Sequence, residues 1–250
     1  MNAPLAGKVA LVTGAGKNIG RAIALRLAAD GAAIVVNGRS DEAAIKAVAE
    51  EITAAGGRAM AYRADITKPE EVAAMAAAVA AQFGGVDILV TNAGLRRQTS
   101  FLDMSFAEWR EILSVALDGA FIITQAFAQE MIARGGGSII GLSGISTHVG
   151  TPNRAHVSAS KSGLEGLMRA LAVELAPKGI RANCVAPGAV DTVRGASAGS
   201  MPSTLADNGI PMRRRASVAE IADVVRMLAG PEGGYITGQT IHVNGGAFLT

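Results

Sequence analysis

The feature that most restricts the fold is an alternation along the chain, in which short β-branched and apolar runs take turns with longer stretches rich in Ala and Leu. The runs are Val9 to Val12, Ile34 to Asn37, Ala59 to Arg63, Ile88 to Thr91, Ser138 to Leu142, Arg181 to Val185 and Thr240 to Val243. Apolar runs this short, bounded by turn residues, suit buried strands, and the stretches between them are long enough for helices. Strands separated by helices pair in parallel through right-handed crossovers that lay helices on the sheet. The pattern therefore predicts an α/β chain with a seven-stranded parallel sheet. It runs unbroken through 250 residues, so one domain spanning 1–250 is expected.

Composition narrows the function classes. Half the residues are hydrophobic and 18% are charged, which supplies a large core and argues against disorder. A net charge of +2 lacks the basic excess of nucleic-acid binders, and the run Arg213 to Arg215 reads as a solvated turn. Cys184 is the single cysteine, so neither an intrachain disulfide nor a cysteine zinc cluster can form, and no metal site is expected. The first residues lack a charged start followed by a long apolar stretch, and no uninterrupted run of 18 apolar residues follows. A soluble cytoplasmic protein with no membrane or nucleic-acid partner is expected.

Three pairs with capping-box spacing, Thr67 with Glu70, Ser105 with Glu108 and Ser217 with Glu220, mark helix starts after strands three, four and six. The segment Arg194 to Asn208, rich in Ser, Ala and Gly, is a candidate lid or an ordinary surface loop. Strand one runs into Thr13, Gly14, Ala15, Gly16, Lys17, Asn18, Ile19 and Gly20, followed by a helix over Arg21 to Asp30. Small residues there let backbone N–H groups approach a pyrophosphate at a helix N-terminus, where the dipole favours negative charge. Following the first strand of a βαβ series, this string predicts a Rossmann-type dinucleotide site.

Further motifs accompany it: Asp65 after strand three, TNAG at Thr91 to Gly94, SASK ending at Lys161, and PGAVDT from Pro187 to Thr192. In this order and spacing, over nearly the whole chain, they resemble the short-chain dehydrogenase/reductase family. The resemblance implies a doubly wound seven-stranded sheet with helices on both faces, a nicotinamide dinucleotide, a small-molecule substrate and a homotetramer. It implies that Asp65, with Ile66 beside it, holds the adenine amino group, and that Asn92, Ala93 and Gly94 lie along the adenosine ribose. Lys161 would hold the nicotinamide ribose, and Pro187, Gly188, Val190 and Thr192 would flank the carboxamide and phosphates. A 2′-phosphate needs a cation, whereas a free 2′-hydroxyl suits a carboxylate at the end of strand two. Gly38 stands at the acidic position, while Arg39, with Ser40 beside it, and Lys17 can approach a phosphate. NADP is therefore the expected cofactor and NAD the alternative.

The resemblance breaks at the reacting groups. Family enzymes move a proton with the tyrosine of YxxxK, aided by an upstream serine and an asparagine. Those positions hold Val157, Gly144 and Ala116 here, and the two tyrosines, Tyr62 and Tyr235, lie far from Lys161 in sequence. The enoyl-reductase spacing, seven before the lysine, falls on Arg154. Three readings follow. In the first, His148 or His156 substitutes as proton donor, with Ser143 and Ser146 binding substrate oxygen and Arg96 or Arg97 anchoring an acidic substrate. In the second, the enzyme uses its bound cofactor without the usual proton relay, or performs a non-redox reaction with Lys161 as base. In the third, the chain binds dinucleotide without turnover.

Overall fold

The computed structural model describes residues 3–193 and 209–250, so the candidate lid lies outside the described residues. Seven strands form one parallel sheet: β1 (Val9–Val12), β2 (Ala33–Gly38), β3 (Ala59–Arg63), β4 (Ile88–Thr91), β5 (Gly137–Leu142), β6 (Ile180–Pro187) and β7 (Thr240–Val243). Each falls on an anticipated run: β1, β3, β4 and β7 have the anticipated bounds, and the ends of β2, β5 and β6 extend beyond theirs by at most two residues. Their order across the sheet is β3-β2-β1-β4-β5-β6-β7, a single-domain Rossmann fold whose chain reverses direction across the sheet between β1 and β4.

Alternating side chains bury both faces. Ala10, Val12, Ile34, Val36 and Val90 pack against α1 (Asn18–Ala29), α2 (Glu42–Ala54) and α8 (Val218–Ala229). Val9, Leu11, Ala33, Val35 and Leu89 pack against α3 (Pro69–Phe83), α5 (Gly119–Ala133) and α7 (Ala155–Leu175). Two shorter helices, α4 (Phe106–Leu113) and α6 (Ser146–Val149), lie at the C-terminal end of the sheet, and a π-helical turn over Ser114–Asp118 joins α4 to α5. The continuous helical span Phe106–Ala133 is long and apolar enough to cross a membrane, but Ile112, Ile123, Phe127 and Met131 are fully buried within the protein, as in a core helix.

The helix starts follow local chemistry, with corrections. Ser217 and Glu220 form a complete capping box. Ser105 accepts from the Glu108 N–H, but the Glu108 carboxylate turns to Thr99 and His156 instead of closing the box. Thr67 is not a cap: its N–H and hydroxyl both donate to Asp65 Oδ1, and α3 starts one residue later than that cap requires, with Lys68 as N-cap and Pro69 at its first position. Helix α1 begins at Asn18 rather than Arg21, which puts its N-terminus inside the glycine string.

Candidate functional site

The C-terminal ends of the central strands are stitched together by side chains whose types the motifs dictate. Thr13 is fully buried; its hydroxyl donates to Val90 O and accepts from the N–H groups of Asn92 and Ala93, at 3.0 Å each. The Asn92 amide returns the link by donating to Thr13 O at 2.9 Å and Gly14 O at 3.1 Å. Asn37 ties β2 to β3 through Tyr62 O and Ala64 O. The crevice at the β1/β4 switch therefore has rigid walls.

Two glycines in the string are there for space. A Cβ on Gly20 would lie 2.3 Å from Gly14 O and 2.6 Å from Asn92 Nδ2. Gly14 has φ +62° and faces Ala93, whose Cα a Cβ would approach to 3.1 Å. Asn18 adopts φ 51°, and its amide makes a reciprocal pair with the Val193 backbone at 2.9 and 3.0 Å. Its side chain is thus committed to holding the Asp191–Val193 segment beside α1. Lys17 and Arg39 are exposed, and neither side chain has a partner among the described residues. At Gly38 a Cβ would come within 2.7 Å of Ile45 Cγ2, so a carboxylate there would crowd the core. Asp65 spends one oxygen on the Thr67 turn, and Ile66 packs under Gly119.

A cleft opens beside this crevice, lined by Ile19, Asn92, Gly94, Arg96, Leu142 to Ser146, Arg154, Val157, Lys161, Pro187 to Val190 and Thr192, among others. Most of the anticipated cofactor residues at the ends of β4 and β6, and Lys161 on α7, thus line one cleft with Ser143 and Ser146. Lys161 donates to Leu142 O, and burial, aided by Arg96, lowers its ammonium pKa to about 8. Val157 stands one turn before it, 6% exposed, and Gly144 lines the same cleft. Ala116 is buried in the π-helical turn, away from the cleft lining. Tyr62 is on β3 and Tyr235 is fully exposed; neither lines the cleft.

Several anticipated groups turn elsewhere. His156 is fully buried, accepts the Val157 N–H at Nδ1 and points Nε2 at Glu108 on α4, 3.2 Å away, so it joins helices instead of facing substrate. His148 points Nε2 at Glu165, 3.1 Å away, and its ring packs against His242 and Phe248. Arg97 is forked onto Glu111 of α4 and is correspondingly a structural ion pair. Ser143 borders the cleft, but its hydroxyl donates to Glu165. Sequence reasoning missed Glu165 and the placement of Arg154. Glu165 is one helical turn beyond Lys161, a spacing that could have flagged it, and it gathers Ser143, Thr147 and His148. Burial pushes the Cys184 thiol up to about 12, so it is inert. Among the described residues no group of His, Cys, Asp or Glu is arranged to hold a metal.

Comparison with known proteins places this architecture. A family model described as Enoyl-(Acyl carrier protein) reductase matches residues 14–247. The chain is 40% identical over 243 residues to the 3-oxoacyl-[acyl-carrier-protein] reductase FabG of Staphylococcus epidermidis, covering 97% of this chain and 99% of that one. It is 39% identical to the FabG of Aquifex aeolicus, covering 99% and 100%. A putative short-chain alcohol dehydrogenase from Sinorhizobium meliloti 1021 superposes with a TM-score of 0.92 at 36% identity, covering 99% and 98%. A putative NAD(P)-dependent gluconate 5-dehydrogenase from Beutenbergia cavernae, solved with NADP, gives 0.90 at 38%, covering 99% of each chain. The chain belongs to the short-chain dehydrogenase/reductase family of oxidoreductases.

Proposed function

We propose that the protein is an NADP(H)-dependent oxidoreductase of a small carbonyl/alcohol pair, works as a homo-oligomer, and handles the proton without the family's tyrosine. The observation that carries this reading is the convergence of the Gly14–Gly20 turn, Asn92 and Lys161 at the β1/β4 crevice. The residues present fit a dinucleotide: the glycines keep side chains away from the N-terminus of α1, whose N–H groups and dipole suit a pyrophosphate. Arg39 and Lys17 suit a 2′-phosphate, and Gly38 offers no carboxylate to repel one. When bound, the nicotinamide donates or accepts the hydride.

The chain's own residues supply the rest. Lys161, positioned by Leu142 O, reaches toward Gly94 and provides a charge for the ribose hydroxyls. Val157 presents an aliphatic surface where a tyrosine would give a proton, and Ser146 offers a hydroxyl beside it. The relatives are named for acyl-carrier thioesters, a sugar acid and alcohols, so their names do not choose a substrate. The test is NADPH binding followed by turnover against ketones, keto acids, imines and, in the oxidative direction, alcohols. Saturable binding with NADPH-dependent reduction supports the proposal. Tight binding with no turnover in either direction would favour a dinucleotide-binding protein that has lost catalysis.

A further inference from the structure

Behind the cleft wall lies a polar cluster that the dinucleotide does not use. Glu165 keeps a side chain only 5% exposed, on a helix that buries Leu164 and Met168 close by. A carboxylate so placed is costly unless its oxygens are hydrogen-bonded. Three groups from the segment after β5 converge on its Oε1: the Ser143 hydroxyl, the Thr147 hydroxyl at 3.3 Å and His148 Nε2 at 3.1 Å. Arg169 Nη1 stands 4.0 Å from Oε2. The His148 ring is packed by His242 and Phe248, and its side chain is 24% exposed, so the cluster runs from the cleft to solvent.

Among the described residues no Asp or Glu lines the cleft itself, so Ser143 connects the cleft to an acid behind its wall. The serine is fixed in place: its N–H donates to Val185 O at 2.8 Å, and the carbonyl just before it, Leu142 O, is the one that Lys161 grips. A serine hydroxyl has one proton and two lone pairs, and Ser143 spends the proton on Glu165. Toward the cleft its oxygen is therefore an acceptor, which suits a substrate hydroxyl and not a carbonyl. We propose that Ser143 and Glu165 form a proton-accepting relay and that the site oxidises a hydroxyl substrate; the inference rests on the oxidoreductase reading above. The substrate O–H proton passes to Ser143 Oγ as the Ser143 proton passes to Glu165 Oε1. The carbinol carbon gives up its hydrogen with both electrons to the oxidised dinucleotide, and the C=O double bond forms. The Glu165 proton then leaves to water on the His148 side. The sum is one alcohol and NADP+ converted to one carbonyl, NADPH and a proton. Ser143 is the catalytic residue; Glu165 acts through it, and Thr147 and His148 position Glu165.

The experiment follows NADP+ reduction with 3-hydroxybutyrate, gluconate, cyclohexanol and 1-phenylethanol, after calorimetric measurement of NADP+ affinity on every protein as a check of folding. With the alcohol that the wild type oxidises fastest, Ser143→Ala and Glu165→Gln should each lower kcat by about 10²-fold, the usual worth of a positioned proton acceptor, and leave KM and NADP+ affinity unchanged. The double variant should lose no more than either single one, because the two groups work as a unit, whereas independent packing damage would multiply. Ser143→Thr, which keeps the hydroxyl, should restore most of the loss. In the dinucleotide-free protein the ring nitrogens of His148, followed by NMR, should shift in Glu165→Gln, which reports the carboxylate contact independently of turnover. An undiminished kcat in either single variant, losses that multiply in the double one, or unmoved His148 resonances would overturn the relay. If Glu165→Gln does not fold, the serine pair decides, since equal kcat values for Ser143→Ala and Ser143→Thr would also overturn it. NADP+ binding with oxidation of none of the four alcohols would overturn the relay and leave the dinucleotide site standing. Failure of the wild type to bind NADP+ would instead overturn the oxidoreductase reading, and the relay with it.

Discussion

At Lys161 the folded protein holds an ammonium pKa of about 8 against an ordinary 10.5, because burial and Arg96 both disfavour its charge. Between those values the unfolded chain binds the extra proton, so stability rises with pH across the window. The penalty is fully present below about pH 8 and is gone above 10.5; its ceiling is on the order of 3 kcal/mol. Urea denaturation should therefore show wild type gaining stability relative to Lys161→Met from pH 8 to 10.5, and parallel profiles would refute the burial of charge. A second residue-scale prediction concerns Val157. A Cβ at Gly144 would meet nothing nearer than 3.9 Å, so a serine fits there, and a tyrosine at Val157 points into the cleft. Gly144→Ser with Val157→Tyr should raise carbonyl reduction by about 10²-fold, the usual worth of a positioned acid. No gain in steady-state rate would mean that the native site already has an equivalent donor.

At the level of elements, the Ser217–Glu220 box closes both ends of the first turn of α8, a helix packed on α1 through Ile221, Val225 and Leu228. Ser217→Ala should cost about 1 kcal/mol in chemical denaturation without changing dinucleotide affinity. Gly20→Ala should do the opposite kind of damage, since its new methyl collides with Gly14 O and Asn92; a tenfold or greater loss of NADPH affinity is expected by titration. Strands were legible because seven short β-branched and apolar runs alternate with helices, a signal carried by many residues at once. Single contacts were not. Thr67 satisfied the capping spacing yet bonds Asp65, because proline at 69 shifts the helix start. The backbone demands of the glycine string were readable, since Gly14 takes a positive φ and a Cβ on Gly20 would collide with Gly14 O. The orientation of His148, His156 and Arg97 was not, because each is set by a carboxylate distant in sequence: Glu165, Glu108 and Glu111.

For the whole molecule, Phe121 on α5 is half exposed and Val173 on α7 is 80% exposed, apolar surface that the proposed assembly would cover. Light scattering should give a multiple of the 25.3 kDa chain, and Val173→Glu should shift it toward smaller species. Dinucleotide at a hundred times its Kd should stabilise the fold by about 2.7 kcal/mol, visible as a rise in melting temperature of several degrees. The most direct test of the central claim is calorimetric titration of NADPH and NADH into wild type and Arg39→Ala. The account predicts saturable binding, with NADPH at least tenfold tighter than NADH and that preference largely lost in the variant. Absence of binding, equal affinities, or a preference for NADH that persists in Arg39→Ala would contradict it.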